Sequence, residues 1–199
     1  MSGIVGVLLA AGAGSRFGGE VPKPLVPFCG RPLLSWPLAA LREGGVEEVV
    51  LVVGAHAEAI GAAVSGARIV PCADWSEGLS ASLRAGVAAA VDGGADAVVV
   101  ALADQPLLSA DAVARIVGAR DPERFDAIRA TYGGTPNHPT LLESALFTGV
   151  AELRGDTGAR PLLGRAPGRV RLVACDGLGS PEDADTPETL ARLETQLPG

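Results

Sequence analysis

The sequence predicts a three-layer α/β fold, with a mostly parallel sheet and helices on both faces. Apolar runs at residues 4–10, 49–53 and 97–102 are continuous rather than alternating, as strands covered on both faces require. Segments with helical start and stop signals separate these runs. Repeated strand–helix units of this kind imply right-handed crossovers and a helical layer on each side of the sheet.

The elements follow in order. Residues 4–10 read as the first strand, and a Gly/Pro-rich loop of roughly 11–32 follows it. A helix is expected from Leu33 to the Gly44–Gly45 pair, then the buried strand Val49–Val53. A helix over about 55–64 and a short strand at 68–71 come next. Ser80–Val91 is Ala-rich and helical, with Ser80 or Ser82 near its cap. Ala97–Leu102 is another buried strand, and Ser109 is a good N-cap for a helix to Gly118. The second half is less regular. Asp126–Tyr132 and Val170–Ala174 read as strands and Glu143–Leu153 as a helix. Thr186 and Pro187 start a C-terminal helix as N-cap and first helical residue. Repeats and low-complexity linkers are absent from the 199 residues, so a single domain over 1–199 is expected.

Hydrophobic residues make up 48% of the chain, enough for one core. The net charge of −7 argues against nucleic-acid or anionic-membrane partners, which need a basic face. Any phosphate site must therefore be small and local. Cys29, Cys72 and Cys175 are far apart and odd in number, so they read as reduced thiols rather than a disulfide framework. The apolar N-terminal run is short and no basic residue precedes it, so it reads as a strand and not a signal peptide. No apolar run approaches the ~20 residues that span a bilayer. A cytoplasmic location is the expectation.

In parallel sheets, ligands bind beyond the carboxyl ends of the strands. The two most unusual loops, 11–24 and 103–106, both sit there. The first runs Leu9–Ala10–Ala11–Gly12–Ala13–Gly14–Ser15–Arg16–Phe17–Gly18–Gly19. Its glycines allow positive φ and let backbone N–H groups approach an anion closely. Arg16 adds a guanidinium fork suited to phosphate oxygens, and Lys23 is a point charge stiffened by Pro22 and Pro24. A plain tight turn with a solvated lysine is the bland alternative, and it accounts for Arg16 and Pro-Lys-Pro poorly. A Walker A loop would end in Gly-Lys-Ser/Thr, which is missing. A dinucleotide fingerprint would carry a third glycine where Phe17 stands, and an acid after the second strand, where Gly54–Ala55–His56 stands. An NAD(P)-dependent oxidoreductase is thus the alternative of a different class.

With its Pro-Lys and Leu25, this loop resembles the opening signature of the MobA-like NTP transferases, which include the molybdopterin guanylyl- and cytidylyltransferases. The resemblance implies a Rossmann-like nucleotidyltransferase fold. It implies a triphosphate wrapped by Leu9, Ala10, Ala11, Gly12, Gly14 and Ser15, with Arg16 and Lys23 on the phosphates. Leu102–Ala103–Asp104–Gln105–Pro106 is similar to the family's strand-end Asp-x-Pro, which makes Asp104 the Mg²⁺ ligand. A turn aspartate before a helix is the bland alternative.

Later motifs resemble the cytidylyltransferase branch. The stretch Trp75–Ser76–Glu77–Gly78–Leu79–Ser80–Ala81–Ser82–Leu83–Arg84–Ala85–Gly86 implies nucleoside contacts from Gly78, Ser80 and Ser82, against simple helix capping by Ser80. The segments around Asn137–His138–Pro139 and Gly155–Asp156–Thr157–Gly158–Ala159–Arg160 imply acceptor contacts from His138, Asp156 and Arg160. Asp185, in Asp183–Ala184–Asp185–Thr186–Pro187–Glu188, is the second implied Mg²⁺ contact, against helix capping.

The implied reaction is transfer of CMP from CTP to the terminal phosphate of molybdopterin, with release of pyrophosphate. The alternatives are GTP or another phosphorylated acceptor, the oxidoreductase above, and a silent nucleotide-binding module.

Overall fold

The computed structural model describes residues 3–15, 17–18 and 20–197. Its strands are β1 (Ile4–Ala10), β2 (Pro27–Phe28), β3 (Arg31–Pro32), β4 (Glu48–Val53), β5 (Arg68–Pro71), β6 (Ala97–Leu102), β7 (Ala127–Tyr132), β8 (Thr135–Glu143) and β9 (Val170–Ala174). Its α-helices are α1 (Ser35–Glu43), α2 (Ala57–Ala63), α3 (Leu79–Asp92), α4 (Ala110–Gly118), α5 (Phe147–Ala151), α6 (Arg160–Arg165) and α7 (Pro187–Glu194).

Seven strands form one sheet in the order β5-β4-β1-β6-β8-β7-β9. Its β5–β4, β4–β1, β1–β6 and β7–β9 pairs are parallel, and β8 alone runs antiparallel to its neighbours β6 and β7. The fold is therefore the expected mixed α/β architecture on a mostly parallel sheet. Alternation along β1 builds both cores at once. Leu8 and Ala10 face α1, α2 and α4 through Leu41, Ile60 and Ile116. Val5, Val7 and Leu9 face α3, α5 and α6 through Leu83, Val150 and Leu162. A third cluster joins Phe28 and Leu33 to Leu190 and Leu193, and so fastens α7 to the region of the β2–β3 hairpin.

Three sequence expectations are corrected. The helix expected over Glu143–Leu153 is replaced by the end of β8, a 3-10 turn and the short α5. Glu143 is buried at the strand end and receives hydrogen bonds from Arg120 Nε at 2.9 Å and Nη2 at 2.9 Å. Strand β8 went unanticipated because Pro136 and Pro139 lie within it, and proline removes a ladder donor. Neither Ser80 nor Ser82 caps α3. Gly78 is the N-cap, and the Asp156 carboxylate accepts from Leu79 N at 2.9 Å across the fold. The caps at Ser109 and Thr186 match expectation, accepting from Ala112 N at 3.1 Å and Thr189 N at 3.2 Å.

Helix α3 lies so close to the sheet that Gly86 has no room for a side chain. A Cβ there would stand 2.4 Å from Val7 Cγ1 and 2.9 Å from Val52 Cγ2. Gly86→Val should therefore lower stability by at least about 2 kcal/mol through overpacking. At roughly 2–4 °C per kcal/mol for a chain of this size, the melting temperature should fall by about 4–8 °C. An unchanged thermal melt would mean that α3 can move off the sheet freely.

Candidate nucleotide site

The ends of β1 and β6 are neighbours in the sheet, so the loops that follow them share one space. Ala103 N donates to Leu9 O at 3.0 Å, and Ala55 N donates to Ala11 O at 3.1 Å. These bonds pin the first loop to both adjoining strand ends. Gly14 sits at φ +63, and a Cβ on it would meet Lys23 Cβ at 2.9 Å. Glycine is needed there for backbone hand and for space. The loop then turns back, with Phe17 N donating to Gly14 O at 2.9 Å.

Lys23 opens a 3-10 turn, Lys23–Leu25, between the two prolines. Its side chain is only 10% exposed, and its ammonium donates to Asp104 Oδ2 at 2.7 Å and to Asp185 Oδ1 at 2.8 Å. Burial pulls the Lys23 pKa down, but the charges and hydrogen bonds of Asp104 and Asp185 outweigh it, and the pKa is raised. The lysine is therefore cationic throughout the neutral range.

Asp104 and Asp185 reach this point by different routes. Asp104 follows the end of β6 directly. Asp185 is delivered by a segment tied to the same turn, where Ala184 N donates to Asp104 O at 2.8 Å. The Gln105 side chain is 1% exposed and locks that segment, donating to Pro181 O at 2.9 Å and Asp183 Oδ1 at 2.8 Å. Partial burial and the nearby Asp104 charge push the Asp183 carboxyl pKa up, against the Gln105 hydrogen bond.

These elements border a cleft of about 460 Å³, within the usual range for a small-ligand site. The cleft brings together Leu9, Ala10, Ala11, Gly12, Gly14, Ser15, Lys23, Gly78, Ser82, Asp104, Asp156 and Asp185 from the sequence expectation. It adds Phe17, Trp75 and Leu79, whose apolar surfaces suit the face of a base. Ser80 is not in the lining, being fully buried with its hydroxyl directed to Arg154 O at 3.3 Å. His138 and Arg160 also lie outside the lining. The His138 ring is held by Val100 O at 3.2 Å from Nδ1, and burial lowers its pKa to about 4, so it is neutral near pH 7. Arg16 lies outside the described residues.

Gln105, Trp75 and Asp183 stand inside the motifs that the sequence offers but were given no role there. Gln105 had no signal of its own, because its partners lie far along the chain. Trp75 opens the Trp75–Gly86 motif, and that position was the available clue.

The lining also bears on a metal. Asp104 and Asp185 both put carboxylate charge beside the space that a triphosphate would take, and that charge opposes an anion. A divalent cation between the two carboxylates would reverse this. Among the described residues, no group of three or more His, Cys, Asp or Glu side chains converges to hold a metal. A carboxylate pair completed by phosphate oxygens and water suits Mg²⁺ or a similar hard ion, not a closed protein cage. No helix among the described residues is long and apolar enough to cross a membrane.

Comparison with known proteins agrees with the geometry. The family model "MobA-like NTP transferase domain" matches residues 6–170, from β1 to the start of β9. Nicotine blue oxidoreductase of Paenarthrobacter nicotinovorans is 39% identical, with 96% of each chain covered. The purine catabolism protein PucB of Bacillus subtilis (strain 168) is 34% identical over 93% of each chain. The crystal structure of Rv0371c from Mycobacterium tuberculosis H37Rv superposes with a TM-score of 0.83 at 31% identity, covering 98% of both chains. A structure of Rv0371c in complex with manganese gives a TM-score of 0.77 at 29% identity, covering 98% of this chain and 99% of that one. With the glycine loop and the Asp104 turn both inside the matched region, this chain belongs to the MobA-like NTP transferase family of nucleotidyltransferases.

Proposed function

We propose that this chain transfers CMP from CTP to the terminal phosphate of molybdopterin and releases pyrophosphate. The observation that carries this reading is the Lys23 ammonium, held between Asp104 and Asp185 beneath a glycine loop. A phosphate-handling cation and a metal-competent carboxylate pair converge there on one cleft.

An acceptor phosphate oxygen attacks the α-phosphorus of CTP. A new P–O bond forms, the bond to the bridging oxygen of pyrophosphate breaks, and the electron pair leaves with pyrophosphate. The acceptor is already anionic, so the chain needs no general base. Its work is positioning and electrostatics. The loop amides of residues 11–15 and the Lys23 ammonium bind triphosphate oxygens, and we assign Arg16 to the same task. Trp75, Leu79 and Ser82 form the wall for the nucleoside. Asp104 and Asp185 would hold Mg²⁺, which supplies neutralising charge to the phosphates. The manganese complex of Rv0371c supports a divalent ion in this fold.

A second reading is favoured by one relative's name, nicotine blue oxidoreductase. It calls for nicotinamide-cofactor binding. Against it, the end of β4 carries no acid for a ribose. A Cβ on Gly54 there would stand 2.4 Å from Ala11 O and 2.7 Å from Trp75 Cβ, so that position takes no side chain that could reach a ribose. Pyrophosphate release from CTP, set against NAD(P)H turnover without metal, separates the two.

Three outcomes are expected. Asp104→Asn keeps the shape and removes the charge, so turnover should fall at least ~10²-fold, the scale of one lost transition-state electrostatic contact; near-normal turnover removes Asp104 from the mechanism. CTP should exceed GTP in kcat/KM, and a GTP preference moves the chain to guanylyl transfer. Lys23→Ala frees both carboxylates from their ammonium, so Mn²⁺ titrated without nucleotide should bind about tenfold more tightly, a shift of ~1.4 kcal/mol. Unchanged or weaker Mn²⁺ binding would show that Asp104 and Asp185 are not the metal pair.

A further inference from the structure

The cleft has two chemically different ends. Strand β1 lies between β4 and β6, with Ala10 level with Val53 and Leu9 level with Leu102. With about 4.8 Å between neighbouring strands, β4 and β6 are roughly 10 Å apart. Lys23, Asp104 and Asp185 gather beyond the end of β6. Trp75 stands beyond the end of β4, where a Cβ on Gly54 would meet its Cβ at 2.7 Å. Asp156 belongs to the Trp75 end, because a Cβ on Gly78 would lie 2.9 Å from Asp156 Cα. Of the described lining residues, Lys23 is the one cation. The phosphates therefore belong at its end, and the base belongs with Trp75, Leu79 and Asp156.

Backbone contacts fix the position of Asp156. Leu79 N donates to its Oδ1 at 2.9 Å. Around it, Ser80 N donates to Gly155 O at 3.1 Å, Ser80 Oγ to Arg154 O at 3.3 Å and Arg84 Nη1 to Leu153 O at 2.6 Å. These bonds fasten the segment 153–156 to the first turns of α3. Among the described residues no ammonium or guanidinium pairs with the Asp156 carboxylate. Arg84, the cation of α3, is committed to Glu77 Oε2 at 2.9 Å. One Asp156 oxygen is thus occupied and oriented, and the other is left for the cleft. A carboxylate there repels phosphate oxygens and accepts N–H donors. It also fills the α3 N-terminus, where a phosphate would otherwise be favoured.

We propose that Asp156 selects the base: its second oxygen accepts an N–H from the exocyclic amine of an amino-bearing base, the 4-amine of cytosine when the nucleotide is CTP, and so excludes uracil. This deepens the nucleotidyl-transfer reading and rests on it for the nucleotide. It gives Asp156 a place at the nucleoside, not the acceptor contact that the family resemblance implies. Aspartate accepting from the cytosine 4-amine is an established pairing in base recognition. Uracil presents a carbonyl at that position, and two acceptors face to face leave both unpaired. Trp75 and Leu79 offer apolar surface to the base face, which shields the bond from water. The Leu79 amide also dictates how an asparagine would sit at this position. The asparagine oxygen would have to accept from Leu79 N, so its NH2 would face the cleft and the acceptor would become a donor.

The test is nucleotide affinity by calorimetry on the full chain with Mg²⁺, for the parent and for Asp156→Asn. The parent should bind CTP at least about tenfold more tightly than UTP. A parent that favours UTP overturns the proposal. In Asp156→Asn the CTP-to-UTP affinity ratio should fall at least about tenfold, because the cap bond is kept and only the group facing the base changes. An unchanged ratio, or an equal loss for both nucleotides, leaves Asp156 as a helix cap alone and overturns the proposal. Should Asp156→Asn fail to fold, the parent still decides. The triphosphate of pyrimidin-2-one riboside keeps the cytosine ring without its 4-amine, and the parent should bind it at least about tenfold more weakly than CTP. Equal binding of the two overturns the proposal. A parent that prefers GTP defeats the CTP reading, and the comparison becomes GTP against inosine triphosphate, which lacks the 2-amine; equal binding of that pair overturns Asp156 as the selector. A parent that binds nucleotide in the expected order but releases no pyrophosphate defeats the transfer reading and supports base selection by Asp156.

Discussion

The ion triad of Lys23, Asp104 and Asp185 is the constraint on which the rest of the site depends. Each member comes from a different structural unit: the proline-braced turn after the glycine loop, the end of β6, and the segment before α7. The ammonium holds the two carboxylates together, and they raise its pKa against burial, which acts to lower it. Because the triad is partly screened from water, its attractions exceed those of a surface pair. The elements around it serve to fix these three groups against one another.

Close packing makes that fixation possible. Gly86 lets α3 lie directly on Val7 and Val52, and Gly54 lets the end of β4 meet the first loop and Trp75. The helix, strand end and loop that border the cleft are thus held by close backbone approach. The same economy appears at Gly78, where a Cβ would meet Asp156 Cα at 2.9 Å. There the loop that carries Asp156 comes close enough to cap a helix from another part of the chain.

The parts legible in the sequence were those with local causes. β1, β4 and β6 are covered on both faces, so their apolar runs are unbroken. Ser109 and Thr186 cap helices through bonds three residues away. The glycine loop and the Asp104 turn announce themselves through backbone requirements written into a few adjacent residues. What stayed hidden depends on distant partners. The β8 strand contains two prolines and exists because β6 and β7 flank it. The roles of Gln105 and Asp156 rest on partners more than 75 residues away in the chain and leave no local pattern.

The Lys23–Asp185 contact joins residues separated by 162 positions. During synthesis, the glycine loop, Lys23 and Asp104 leave the ribosome long before Asp185 exists. A nascent chain can therefore assemble most of the parallel sheet while its lysine has only Asp104 for a partner. The third charge arrives with the segment that Gln105 and the Phe28–Leu33 cluster dock into place. Completion of the site is in this sense a late event of biogenesis. Long-range closures of this kind form slowly relative to local contacts, and this one couples the arrival of the final helix to the assembly of the charged centre.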